Sequence, residues 1–181
     1  MTNRRHLKGF TLIEAIMTLA IASILATVAI PSFLEYVEIN RAQTRASQFI
    51  GGLMYARSEA VKRSAPVTIC RSANSTACPN GSNWEDGWII FSDDDGDGAI
   101  DAGVDVILKV VNDTSGSGFT LRGGGNTADS ITYNADGGTS DSGSLRLCPV
   151  SGDVDHSRDL FISQAGRPRT AELAGGSSCP S

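Results

Sequence analysis

Histidine is almost missing from this chain. Only His6 and His156 occur among 181 residues, and His6 stands in a short basic leader. No serine motif points at His156, so no His-activated nucleophile can be assembled. The sequence therefore reads as a non-enzyme with no cofactor. Close Cys-x-x-Cys spacing is missing too, which argues against zinc held by the four cysteines. The first nine residues contain no acid. Between Phe10 and Ile30 the only formal charge is Glu14. No segment of the chain repeats.

What is present begins at the N-terminus. Arg4, Arg5 and Lys8 precede an apolar run that Pro31 ends. Roughly 20 apolar residues suffice to cross a bilayer as a helix. The flanking cations predict a cytoplasmic N-terminus, with the rest of the chain outside. A secretory signal has a shorter apolar core followed by its cleavage site. Here the notable junction, Lys8-Gly9-Phe10, precedes the run.

Gly9-Phe10-Thr11-Leu12-Ile13-Glu14 after a basic leader resembles the class III signal of type IV pilins and type II secretion pseudopilins. The resemblance implies cleavage after Gly9 by the prepilin peptidase and N-methylation of Phe10. The apolar helix is then kept, first as an inner-membrane anchor and later as a packing surface in a filament. A carboxylate near the start of a membrane helix is costly without a purpose. In staggered parallel helices, Glu14 can meet the new α-ammonium of Phe10 on a neighbouring subunit, each removing the other's buried-charge penalty. Glu14 is therefore expected to act in assembly.

Net charge is −5, and removal of Arg4, Arg5 and Lys8 takes it to −8. The excess is local, because eight acids fall between Glu85 and Asp105. Outside that span the remaining 12 acids match the remaining 12 bases, so an anionic partner can bind away from it. Cys70, Cys78, Cys148 and Cys179 are even in number and predicted to lie outside the cytoplasm, where disulfides are the default. Three pairings are open. Cys70–Cys78, closing a short loop, and Cys148–Cys179, tying down the C-terminus, are favoured.

Helical character continues beyond Pro31. Ala42, Ala46, Phe49, Ile50, Leu53, Ala56 and Ala60 recur at three- and four-residue steps, so this half is amphipathic. The helix is predicted to stop near Lys62-Arg63-Ser64, because Ala65 precedes Pro66. Short strands are then predicted at 67–70, 87–91, 104–111, 118–121, 130–133, 144–148 and 160–162, separated by Gly-, Ser-, Asn- and Asp-rich turns. The expected organisation is a cleaved leader at 1–9, a membrane or filament-core half-helix at 10–31, an amphipathic half at 32–64 and a β domain at 65–181.

A long N-terminal helix on a small β domain is the type IV pilin architecture, an α+β fold with an antiparallel sheet domain, expected as two sheets. Ala56-Arg57-Ser58-Glu59-Ala60-Val61-Lys62-Arg63, then Pro66 to Cys70, then Trp84 with Gly87 to Phe91, resembles the GspH/FimT family. Its members are minor pilins, or the minor pseudopilin of type II secretion.

Three features could carry chemistry. Asp93 to Asp101 fits the start of an EF-hand-type calcium loop, with carboxylates at alternate positions and a glycine sixth. The fit fails at the twelfth position, which is Val104 instead of Glu, and no helices flank it. The competing reading is an Asp/Gly-rich hairpin turn, and no metal is assigned. Trp84 and Trp88 could stack on a base, although packing in the core is the commoner use of such residues. Gln164-Ala165-Gly166-Arg167-Pro168-Arg169 is expected to form a small stiff loop displaying two guanidiniums, whose planar fork suits phosphate. Cys148–Cys179, if formed, would fix its base. Solvated arginines paired with Asp159 or Glu172 are the alternative.

The Gly166-Arg167-x-Arg169 pattern resembles the C-terminal motif of FimT members that bind DNA. The resemblance implies a minor pilin in a filament with other pilins, binding extracellular double-stranded DNA without sequence preference for natural transformation. Structural minor pilins that prime pilus assembly, and pseudopilins of type II secretion, are the alternatives. Arg146 and Arg158 could join the site, but nothing in the sequence places them near it.

Overall fold

The computed structural model describes residues 9–78, 83–112, 116, 118–172 and 178–179. The basic leader lies outside the described residues. One helix, α1, runs Leu12–Arg63 and passes through Pro31. Thr11 starts it, since its hydroxyl accepts from Glu14 N at 3.3 Å. Its end is a Schellman arrangement: Ala65 N donates to Ala60 O at 3.3 Å while Ser64 adopts φ +54°. Pro66 follows and cannot continue the helix.

The chain divides into two compact units, Met1–Ile39 and Asn40–Ser181. In the first, every described large hydrophobic from Phe10 to Tyr36 is exposed. This segment is long and apolar enough to cross a membrane. In the second, Ala42, Ala46, Phe49, Gly52, Leu53, Ala56, Glu59 and Ala60 of α1 are buried. The three- and four-residue periodicity therefore marks the buried face, with Ile50 only half-buried. Glu59 is the exception on that face. Arg63 Nε donates to it at 2.8 Å and Lys62 Nζ at 3.3 Å, holding its carboxyl below the usual range.

Among the described residues eight strands follow: β1 Val67–Arg71, β2 Trp88–Ser92, β3 Ile107–Val111, β4 Phe119–Gly123, β5 Ser130–Tyr133, β6 Gly143–Pro149, β7 Arg158–Ile162 and β8 Pro168–Glu172. They form two four-stranded sheets, ordered β3-β2-β1-β5 and β4-β6-β7-β8. Every pairing is antiparallel. This is the expected α+β arrangement with two sheets.

The apolar stripe of α1 and one face of each sheet share a single core. Trp84 and Trp88 both set their rings edge-on to Phe49 at 5.2 Å. Gly52 permits this closeness, because a Cβ there would sit 3.3 Å from Trp88 Nε1. A second, smaller cluster of Cys70, Ile89 and Phe91 lies beneath Cys78 and Ile100. The Cys70–Cys78 bridge and the β2–β3 loop are thereby anchored to the same patch.

Two expectations change. The strand read as 104–111 starts only at Ile107, because Val104 N and Asp105 N both donate back to Asp101 O in a turn. Arg169 lies in a strand, β8, rather than in a loop running through to it.

Candidate functional site

The arginine segment is the tip of the β7–β8 hairpin. Gly166 N donates to Ser163 O at 2.8 Å, and Ser163 N to Arg167 O at 3.3 Å. Arg167 N also reaches Ser163 Oγ at 3.3 Å. Gly166 has φ +68°, and a Cβ there would lie 2.0 Å from Gly137 O. The turn is therefore pressed, backbone to backbone, on the loop between β5 and β6. Arg57 of α1 laces the two together, its Nε donating to Gly137 O at 2.8 Å and its Nη2 to Ala165 O at 3.2 Å. Pro168 opens β8, a sheet edge, where its missing N–H leaves no ladder bond unmade.

Arg167 and Arg169 are both exposed. Arg169 is the cross-strand partner of Phe161, and its guanidinium sits 5.3 Å from that ring. The ring face holds the guanidinium by cation–π attraction and leaves its N–H edge outward. Among the described residues no ion pair joins either arginine to a carboxylate. Asp159 is taken by Arg146, whose Nε and Nη2 reach it at 2.8 and 3.1 Å. Arg146 also donates from Nη1 to Ser178 O at 2.8 Å. Arg158 is buried and donates to Ser157 O at 2.8 Å. Neither therefore offers a free fork beside the hairpin tip.

The packing adds cations that the sequence reading missed. Arg167 lines one groove with Ser144, Phe161 and Arg169, and a second with Met54, Val61 and Lys62 of α1. Arg57 lines the second groove as well. Lys62 and Arg57 precede Arg167 by more than a hundred positions, so only the helix–sheet contact reveals the grouping. The one local signal was the run of cations at Arg57, Lys62 and Arg63 on the last turns of the helix.

The remaining named residues lie elsewhere. Cys70–Cys78 and Cys148–Cys179 are the two bridges, with S–S distances of 1.96 and 2.06 Å. Cys148 sits at the far end of β6 from the hairpin tip, about 17 Å away by strand rise. The bridge thus pins the open end of the hairpin. Trp84 and Trp88 are buried, and Trp84 Nε1 donates to Thr127 O at 3.1 Å, so neither ring is open to a base. Gly9 and Phe10 precede α1 with Phe10 exposed, and Glu14 lies exposed in its first turn. His156 is buried in the β6–β7 loop, remote in sequence from any nucleophile motif.

Two family models match the chain. One, described as type II transport protein GspH, spans residues 45–166. The other, a prokaryotic N-terminal methylation motif, spans residues 4–30. A search of curated proteins returns no match. Among solved structures, the fold resembles the type IV minor pilin FimU of Pseudomonas aeruginosa, with TM-score 0.56 and 23% identity over 81% of this chain and 98% of that one. A second crystal form of FimU gives TM-score 0.54 at 23% identity, over 77% and 98% of the two chains. The minor pseudopilin EpsH of Vibrio cholerae matches with TM-score 0.47 and 15% identity, over 76% and 99%. With the GspH model covering most of the β domain, the methylation motif at the N-terminus and one long helix leading into two antiparallel sheets, the chain belongs to the GspH family and has the type IV pilin fold.

Proposed function

We propose that this minor pilin enters a type IV pilus and binds extracellular double-stranded DNA for uptake in natural transformation. The observation that carries the reading is the pair of exposed guanidiniums, Arg167 and Arg169, at one hairpin tip without a carboxylate partner among the described residues. Both are free to form planar forks on phosphate. Phosphate contacts position a protein on DNA but carry no base information, which suits a receptor that accepts any sequence. Arg57 and Lys62 extend the positive surface along the helix.

The route to that site follows from the N-terminal motif. Prepilin peptidase cuts after Gly9, Phe10 is methylated, and residues 10–31 hold the chain in the inner membrane before the filament takes it up. Glu14 then pairs with the N-terminal ammonium of an adjacent pilin. The segments 32–64 and 65–181 stay outside the membrane.

The test is a titration of the detergent-solubilised full chain with random-sequence duplex DNA. Arg167→Gln with Arg169→Gln is expected to abolish the gel shift and lower transformation, with both disulfides and the circular dichroism spectrum intact. Arg167→Gln alone, which removes one phosphate contact, should shrink the salt slope by about 1. Binding unchanged in the double variant overturns the assignment.

The match to a family described as type II transport protein favours a second reading, a structural subunit of a secretion pseudopilus or a primer of pilus assembly. Under it, deletion removes secretion or piliation and the arginine variants behave as wild type.

A further inference from the structure

Asp93, Asp95, Asp97, Asp101 and Asp105 are five of the six aspartates in the β2–β3 loop. A carboxylate oxygen from each of Asp93, Asp95 and Asp97 lies within 4.8 Å of the other two. Among the described ion pairs, none reaches any of the five. At these separations the negative charges of Asp93, Asp95 and Asp97 repel one another.

Clustered acids alone would be an exposed turn. Asp93 is different, because it is fully buried. Its Oδ2 is occupied, accepting from Thr68 Oγ1 at 2.6 Å and from Gly98 N at 3.2 Å. Its Oδ1 is buried and has no hydrogen-bond partner. A buried carboxylate oxygen without a donor is expensive, and beside two other carboxylates it is more so. Oδ1 of Asp105 is buried and unpartnered in the same loop. A cation held by Asp93, Asp95 and Asp97 would neutralise the buried Asp93 carboxylate and cancel the mutual repulsion.

The loop is also held for the purpose. Asp93 N donates to Pro66 O at 3.1 Å at its start. Ile100 is packed on the small apolar cluster of Ile89 and Phe91 in its middle. Thr68 ties Asp93 to β1, so the acids project from a braced base.

We propose that this loop is a calcium site, with Asp93, Asp95 and Asp97 as ligands and Asp101 and Asp105 completing the anionic cup. Several hard carboxylate oxygens on a flexible loop suit Ca²⁺, which takes six to eight oxygens in adaptable geometry. Mg²⁺ demands a near-ideal octahedron and keeps its waters, so it is the weaker ligand here. The alternate spacing of Asp93, Asp95 and Asp97 is that of an EF-hand loop start, but strands replace the helices. Asp105, one residue past Val104, stands in for the missing twelfth-position acid. Affinity is expected in the range of extracellular modules, about 10⁻⁴–10⁻³ M. The site is independent of the arginine hairpin and of the DNA reading.

The test uses the full chain in detergent after chelation, with calcium chloride as the probe in calorimetry and in thermal unfolding. Calcium is expected to bind and to raise Tm, magnesium at equal concentration to do so at least about tenfold more weakly. Asp95→Asn with Asp97→Asn changes only exposed side chains, so it should keep the fold and both disulfides while losing the calcium response. No heat and no Tm shift in millimolar calcium overturns the proposal. So does an equal response to both metals, or a calcium response that survives in the double variant.

Discussion

Gly166 is the residue on which the hairpin tip depends. It combines a left-handed φ with a backbone contact that no side chain could share. Gly166→Ala is expected to cost about 1–3 kcal/mol in chemical denaturation, from the αL conformation alone, and more if the Gly137 loop cannot yield. DNA affinity should fall with it, because the turn presents both arginines. Phe161 acts more gently. Phe161→Leu keeps an apolar side chain but removes the ring under Arg169. DNA affinity in a fluorescence titration should weaken about two- to fivefold, the size of an exposed cation–π contact. At this scale the sequence was half-readable. Arg167 and Arg169 announce themselves by spacing around a proline. Arg57 and Lys62 do not, because a cation on a helix looks the same whether or not a distant hairpin folds over it.

Among the elements, α1 declares itself most clearly. Its buried face is the three- and four-residue stripe, and its stop is signalled by Pro66. Leu53 stands in the middle of that stripe at 0% exposure. Leu53→Ala is expected to destabilise by about 2–5 kcal/mol, measured by denaturant midpoint at constant m. Strands with two buried faces, such as β2, are equally plain from their apolar runs. β8 is the element that sequence periodicity hides. Its residues Arg169 to Glu172 are all exposed, so no alternation survives to mark it. It forms because β7 offers a free edge and the Ser163–Gly166 turn sets the register. The reverse error fell at Val104 and Val106, apolar residues that look strand-like but sit exposed in the acidic loop. Their neighbours' charges, not their own hydrophobicity, decide that stretch.

For the molecule as a whole, two carboxyls give opposite acid responses. Glu59 is held below its ordinary range chiefly by the Arg63 hydrogen bond. Its contribution is present above the unfolded value of 4.5 and is lost as pH falls through the lower folded value. Asp93 is held above its ordinary 3.8 chiefly by burial. Its ionised form opposes folding, so the calcium-free chain gains stability as pH falls through the raised value towards 3.8. Asp93→Asn should remove that acid-side gain, and Glu59→Gln should remove the acid-side loss. Urea unfolding in chelator at a series of pH values separates the two. In the cell, Glu14→Ala is expected to reduce incorporation of the subunit into filaments, read by immunoblot of sheared pili, without altering the fold of residues 40–181.

The long helix has one further consequence. Among the described residues its first fully buried side chain is Ala42, with Val37, Glu38 and Ile39 half-buried just before it. The first thirty or so positions are therefore a detachable handle. A chain beginning near residue 32 should secrete to the periplasm behind an ordinary signal, close the same two bridges and melt at the same temperature as its parent in detergent. Beginning past Phe49 instead would strip the ring that both tryptophans lean on, and such a fragment should not fold. A recombinant start, a fusion partner or a foreign anchor can therefore be joined between residue 32 and Ala42 without stripping a buried side chain.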